Sequence, residues 1–305
     1  MKEYRVKEQP THEEQLQMIE EGEQRFHRQL DALTDRLCRL ENLKMIGLTG
    51  PTCSGKTTAA GMITSAFAQQ GRRVQMISID DFYYDKAYLA ALTERKGMTT
   101  LDYDSEDTIE VALLRRCVEA LRRGETVRLP RFNFVTGDRE EGELITPEEK
   151  DVFLFEGIQV LYPGVDEILC GEGYQSVLIA PQTALRVGES LFTPNEIRLL
   201  RRLVRDVYFR DTSPAFTFYI WESVRANEER SIFPHVDRCN YSVDSTMPYE
   251  LGVLKPFLER DLSTVPRDNG FYKTAREWLE RIAPIATIPH SLLPEKTLYK
   301  EFIAL

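Results

Sequence analysis

The stretch Met45-Ile46-Gly47-Leu48-Thr49-Gly50-Pro51-Thr52-Cys53-Ser54-Gly55-Lys56-Thr57-Thr58 decides the fold. Five mostly apolar residues end in a glycine loop, and the loop opens onto a helical stretch, Lys56–Gln70. Gly50 to Thr57 matches G-x-x-x-x-G-K-[ST] in full, with a strand before it and a helix after it. The glycines let backbone N–H groups turn inward around phosphate oxygens, and the helix adds its N-terminal partial positive charge. Lys56 is expected to reach the β- and γ-phosphates, and the Thr57 hydroxyl to ligate Mg²⁺. The expected ATP-binding loop is therefore Gly50, Pro51, Thr52, Cys53, Ser54, Gly55, Lys56, Thr57 and Thr58. Cys53 reads either as a small spacer or as a reactive thiol near a helix N-terminus.

Outward from this loop the pattern stays α/β. Val74–Ile79, Val152–Phe155 and Val177–Ala180 read as further strands, and Thr108–Arg123 and Asn195–Arg210 as helices. Apolar runs this short, separated by helices, predict a doubly wound parallel sheet covered on both faces, of the P-loop NTPase type. Val127–Phe132 and Glu143–Ile145 are expected to form a small hairpin outside that sheet. Met247–Ile282 reads as helical, with breaks at Pro256 and Pro266. Residues 1–43 form a separate N-terminal extension before a 44–305 domain. In it, Thr11 and Glu14 have capping-box spacing. Phe26, Leu30, Leu33, Leu37 and Leu40 follow a 4-3-4-3 seam, extended upstream by Ile19 and Leu16 and broken at Glu23. Such a seam either packs on its own domain or pairs two copies into a homodimer.

Composition narrows the function classes. The chain has 305 residues, 42% hydrophobic and 29% charged, with a formal net charge of −10. An acidic chain is a poor generic nucleic-acid binder. No run approaches the ~20 apolar residues of a membrane span, and Met1–Glu21 lacks the apolar core of a secretory signal. Five cysteines with no Cys-x-x-Cys pair argue against a disulfide framework or zinc site and for a reducing cytoplasm.

A phosphate-binding loop serves motors, switches and kinases alike. Guanine-type Asn/Thr-Lys-x-Asp is absent, and the strand Val152–Glu156 ends in one carboxylate where motor ATPases usually carry two. Asp80-Asp81-Phe82-Tyr83-Tyr84 follows the second strand directly. Ligands of open α/β sheets bind beyond the carboxyl ends of strands, so Asp80, Glu156 and the loop should converge there. A carboxylate near the γ-phosphate can take the proton of an attacking hydroxyl or help hold Mg²⁺. The alternative for Asp80-Asp81 is a helix cap with a solvated neighbour. Arg198, Arg201, Arg202 and Arg205 share a helix face, with Arg210 following. They read either as a solvated face partnered by Glu189, Glu196, Asp206 and Asp211, or as a lid that neutralises a transferring phosphoryl group.

Taken in order, Gly50–Thr58, Ile77–Tyr83, Leu129–Arg139, Phe155-Glu156-Gly157 and Arg198–Asp206 resemble the uridine kinase/phosphoribulokinase family of P-loop kinases. The likeness is strongest to its bacterial uridine kinase-like branch. Ser223–Glu229, Ile232–Pro234, Pro248–Pro256 and Leu298–Phe302 add to it. The resemblance implies ATP and Mg²⁺ as cofactors and Asp80 as the general base. It implies Thr57, Asp80 and Glu156 at the metal, and Arg201 and Arg205 on ATP. It also implies Asp104, Phe132, Arg139, Arg198 and Arg202 on the substrate. One departure concerns the hairpin: where uridine/cytidine kinases carry an aromatic and a histidine that contact the base, Phe132, Asn133 and Gly137 stand here. A glycine offers no side-chain hydrogen bond, so base selection should weaken.

The expectation is a cytoplasmic kinase that phosphorylates a small-molecule hydroxyl, with uridine or cytidine first. Pantothenate, glycerate or a phosphorylated pentose is the alternative acceptor. A non-catalytic ATP-sensing dimer is the alternative of another class.

Overall fold

Strand β2 (Met45–Thr49) is buried along its whole length, because the chain covers both faces of its sheet. The computed structural model describes residues 2–97 and 105–303. In chain order its strands are β1 (Lys2–Val6), β2, β3 (Val74–Ser78), β4 (Val127–Asn133), β5 (Asp138–Ile145), β6 (Val152–Glu156), β7 (Tyr174–Ala180), β8 (Thr183–Val187), β9 (Ser190–Phe192) and β10 (Tyr241–Asp244). The helices are α1 (His12–Cys38), α2 (Lys56–Gln69), α3 (Lys86–Arg95), α4 (Val111–Arg122), α5 (Pro163–Leu169), α6 (Pro194–Arg210), α7 (Pro214–Ser231), α8 (Glu250–Leu262) and α9 (Tyr272–Ile282).

The main sheet runs β10-β7-β2-β6-β3, and every pairing in it is parallel. Side chains alternate between its faces as a period of two requires. Ile46, Leu48, Val152 and Leu154 enter one core, with residues of α1, α2, α6 and α8. Met45, Phe153 and Phe155 enter the other, with residues of α4 and α5. The doubly wound sheet predicted from the sequence is therefore present, with β10 as an additional edge strand. The hairpin is present too, as antiparallel β4–β5.

Two expectations change. Pro256 lies inside α8 without breaking it. The carbonyl of Gly252, which a residue with an N–H at position 256 would satisfy, accepts instead from Ile288 N at 3.0 Å. Pro266 does fall in the break between α8 and α9.

The second change concerns α1. Its capping box forms: Glu14 N donates to Thr11 Oγ1, and Thr11 N to Glu14 Oε2. Of the two readings of its seam, packing on its own domain is the one the structure shows, with Leu16 left exposed. Ile19, Phe26, Leu30, Leu33 and Leu37 are each at most 5% exposed, within the same core as Ile46, Leu48, Ile63 and Phe67. The seam braces its own sheet. Glu23, the apparent break, is buried and accepts hydrogen bonds from Tyr249 Oη and Thr297 Oγ1. The segment before α1 adds β1, parallel to β8, which the sequence pattern does not announce.

Candidate active site

The strand ends set the site. Leu48 of β2, Glu156 of β6 and Ser78 of β3 lie level in the sheet register. The residues just beyond them, Gly50–Thr58, Glu156-Gly157 and Ile79–Phe82, therefore meet at one edge. The loop takes a shape that few residues permit. Gly55 has φ +96° and Cys53 φ +57°, both in the left-handed region. A Cβ on Gly50 would lie 2.0 Å from the Ile179 carbonyl oxygen, so only glycine fits there.

Helix α2 starts at Lys56 with no side-chain cap from Gly55, which leaves its first N–H groups without partners in the helix. Lys56 Nζ donates to Gly50 O at 3.0 Å and lies 4.0 Å from Glu156 Oε1. Thr57 is exposed. Thr58 is engaged: its N–H and its hydroxyl each donate to Glu301 Oε1 at 2.6 Å. Glu301 belongs to a C-terminal turn, Leu298–Glu301, whose neighbours Tyr299 and Phe302 cover the Arg201 guanidinium. Ser54 Oγ and Thr49 Oγ1 are buried, without a hydrogen bond among the described residues. Narrow glycine geometry, orphan donors and a lysine facing inward suit a polyphosphate.

Asp80 and Asp81 sit in a short 3₁₀ turn after β3, not at the start of an α-helix. Asp80 Oδ1 accepts from Gln159 Nε2 at 2.6 Å. Asp81 Oδ1 accepts from Phe132 N at 3.0 Å, which ties the hairpin to the turn. Burial pushes the Asp81 carboxyl above the usual aspartate range. Burial also raises Glu156; Lys56 opposes that shift, and the neighbouring carboxylates of Asp80 and Glu301 add to it.

The arginine helix departs from expectation. Helix α6 is packed, and its arginines already have carboxylate partners. Arg198, 1% exposed, makes a bidentate pair with Glu228 at 2.6 and 2.7 Å. Arg201, fully buried, pairs with Glu250 at 2.7 and 3.1 Å. Burial depresses the Arg198 guanidinium; burial acts the same way at Arg201, but Glu250, with Tyr299 and Cys53, together raise it. Neither arginine awaits an anion, which corrects the lid reading for both, and their partners are not those the sequence pattern suggested. Both brace the phosphate loop from behind, Arg198 on Thr52 O and Arg201 on Cys53 O, each at 3.3 Å. Arg202, Arg205 and Arg210 differ, because all three share the single carboxylate of Asp206. Arg202 and Arg205 also reach the Thr52 hydroxyl, at 3.4 and 3.5 Å. Unbalanced positive charge thus borders the loop.

On the acceptor side, Asp104 lies outside the described residues. Arg139 is paired with Glu110. Phe132 is 4% exposed, its ring packed against Tyr83 and Phe134, so it offers no open stacking face. The accessible ring is Phe134, 62% exposed at the hairpin tip. Gly137 is a turn residue with φ +77°, and a Cβ there would meet the Lys86 side chain at 3.2 Å. Sequence reasoning missed Gln159, Phe134 and Glu301. Gln159 follows Glu156-Gly157 by two residues, which was the available signal for it.

The model of the Phosphoribulokinase / Uridine kinase family matches residues 45–248. The chain belongs to that family. It is accordingly a kinase-family phosphotransferase, and its parallel sheet flanked by helices matches the fold of P-loop kinases. Among curated relatives, the uridine kinase of Salmonella typhimurium is 28% identical over 192 residues, covering 62% of this chain and 78% of the relative. Two solved structures share the fold. One is a candidate fructose transport system kinase from Silicibacter sp. TM1040, with a TM-score of 0.52 and 20% identity, covering 70% of this chain and 98% of that one. The other is the YGR205w protein, with a TM-score of 0.51 and 17% identity, covering 68% and 89%. No helix among the described residues is long and apolar enough to cross a membrane.

Proposed function

We propose that this chain transfers the γ-phosphoryl group of ATP to a hydroxyl of a small molecule, and that the acceptor is the 5′-hydroxyl of a ribonucleoside, uridine or cytidine first. One observation carries this reading. A carboxylate with one engaged oxygen, Asp80, follows β3 at the strand ends that carry the phosphate loop, and Gln159 ties it to Tyr83, whose ring packs against Phe132 and Phe134. A sensor of nucleotide occupancy has no need of a base at that point. The naming of the relative as a uridine kinase supports the nucleoside class.

In this reading the loop amides and α2 hold the phosphate chain, and Lys56 leaves the Gly50 carbonyl to follow the β- and γ-phosphates. Thr57, Glu156 and Asp80 are the side chains that would hold Mg²⁺, which supplies charge neutralisation on the phosphate oxygens when bound. Asp80 takes the proton of the acceptor hydroxyl as that oxygen attacks. Arg202 and Arg205, one carboxylate between them, stabilise charge on the phosphoryl side. Phe134 gives a base a face to stack on, and such stacking is tolerant of base identity.

The test is ADP release from MgATP with uridine, cytidine, their 2′-deoxy forms, adenosine, guanosine, pantothenate, glycerate and ribulose 5-phosphate. Uridine and cytidine are expected to be phosphorylated at rates within tenfold of each other. Phosphorylation of a non-nucleoside alone would refute the nucleoside reading and leave the kinase reading intact.

A further inference from the structure

The amide of Gln159 joins two parts of the site that the sequence treats as separate. Gln159 is fully buried in the short turn after Glu156-Gly157. Its Nε2 donates to Asp80 Oδ1 at 2.6 Å and to Tyr83 Oη at 2.8 Å. One nitrogen with two hydrogens therefore serves both acceptors. Glycine at position 157 leaves room for this placement, since a Cβ there would lie 2.5 Å from Gln159 Oε1 and 3.0 Å from Ile79 Cβ. The Tyr83 ring packs edge-on against Phe132 at 5.3 Å and Phe134 at 6.2 Å.

We propose that Gln159 is the positioning residue that fixes the Asp80 carboxylate and locks it to the aromatic acceptor wall. The inference rests on Asp80 acting as the base. A carboxylate held at one oxygen presents the other in a fixed plane, and Asp80 Oδ2 makes no hydrogen bond among the described residues. A neutral amide donor orients the carboxylate through a hydrogen bond and adds no charge of its own. The shared nitrogen then sets the distance between base and stacked acceptor. Misplacement of about 1 Å in such an arrangement costs on the order of 10²-fold in rate.

The experiment compares wild type, Gln159→Met and Gln159→His. Methionine keeps length and bulk and removes the donor. The histidine Nε2–H reaches about as far as the glutamine amide. Initial rates are measured with uridine and cytidine over a range of concentrations, and ADP affinity is measured by calorimetry. Gln159→Met is expected to lose at least tenfold in kcat, with ADP affinity within twofold of wild type, and Gln159→His to recover part of the loss, because its single Nε2–H can serve Asp80 but not Tyr83 as well. Should the methionine variant fold poorly, Gln159→Leu replaces it. A methionine variant with wild-type kcat overturns the proposal. So does a parallel loss of kcat and ADP affinity, or a histidine variant as slow as the methionine one. A wild-type protein that phosphorylates no nucleoside instead overturns the acceptor reading under Proposed function, so the two failures are distinguishable.

Discussion

At the scale of single residues, the phosphate loop was legible because its chemistry is local. Gly50, Gly55 and Lys56 act within one turn of chain, and their spacing carries the whole reading. Lys56→Ala removes a charge while the loop amides remain. It is expected to lower kcat at least a hundredfold and nucleotide affinity by less than tenfold, measured by initial rates and calorimetry; near-normal turnover would contradict the loop's role. Gly137 was legible only in part. Its lack of a side chain is visible in the sequence, but the reason is the φ of +77° that the hairpin turn imposes. Gly137→His should therefore cost about 1–2 kcal/mol, read as a lower midpoint in urea, before it confers any selectivity for a pyrimidine. An unchanged midpoint would show that the turn relaxes freely. Phe132 misled for a related reason. Alternation along β4 shows which side a ring takes, and only the folded hairpin shows that Tyr83 and Phe134 cover it.

At the scale of elements, the arginine stripe of α6 was visible as a stripe but not as a set of ion pairs. The carboxylates that satisfy Arg198 and Arg201 come from α7 and α8, 30 and 49 residues further along the chain. No local pattern reports such a distance. Removing one partner of pairs this buried leaves an uncompensated charge, so α6 serves the loop chiefly as a rigid support. The C-terminal turn was likewise legible as a motif without a place. Glu301 takes both the N–H and the hydroxyl of Thr58 at the start of α2. An anion arriving at those donors has to displace the carboxylate, which also stands near Glu156. Glu301→Gln keeps the shape and weakens the bonds, since charged acceptors bind roughly twice as strongly as neutral ones. Calorimetry with ADP should show affinity raised about three- to tenfold. Unchanged or weaker binding would show that Glu301 and phosphate do not compete.

At the scale of the whole molecule, the parallel sheet was legible because short apolar runs between helices admit few other architectures. The N-terminal helix was legible as a helix with a seam, yet a seam does not say whose core it enters. Burial of Phe26, Leu30 and Leu37 beside Ile46 and Leu48 answers that. Leu30→Glu with Leu37→Glu places two charges in that core. The double variant is expected to lose the cooperative unfolding of the entire chain, followed by circular dichroism. A folded monomer released from a wild-type dimer, seen by sedimentation, would assign the seam to a second copy. The central claim, phosphoryl transfer from ATP to a nucleoside hydroxyl with Asp80 as base, is tested most directly by mass spectrometry of the products of wild type and Asp80→Asn given MgATP and uridine. The account predicts uridine 5′-monophosphate from wild type and a rate lower by roughly 10²–10⁴-fold from Asp80→Asn. Equal product from both proteins would contradict it.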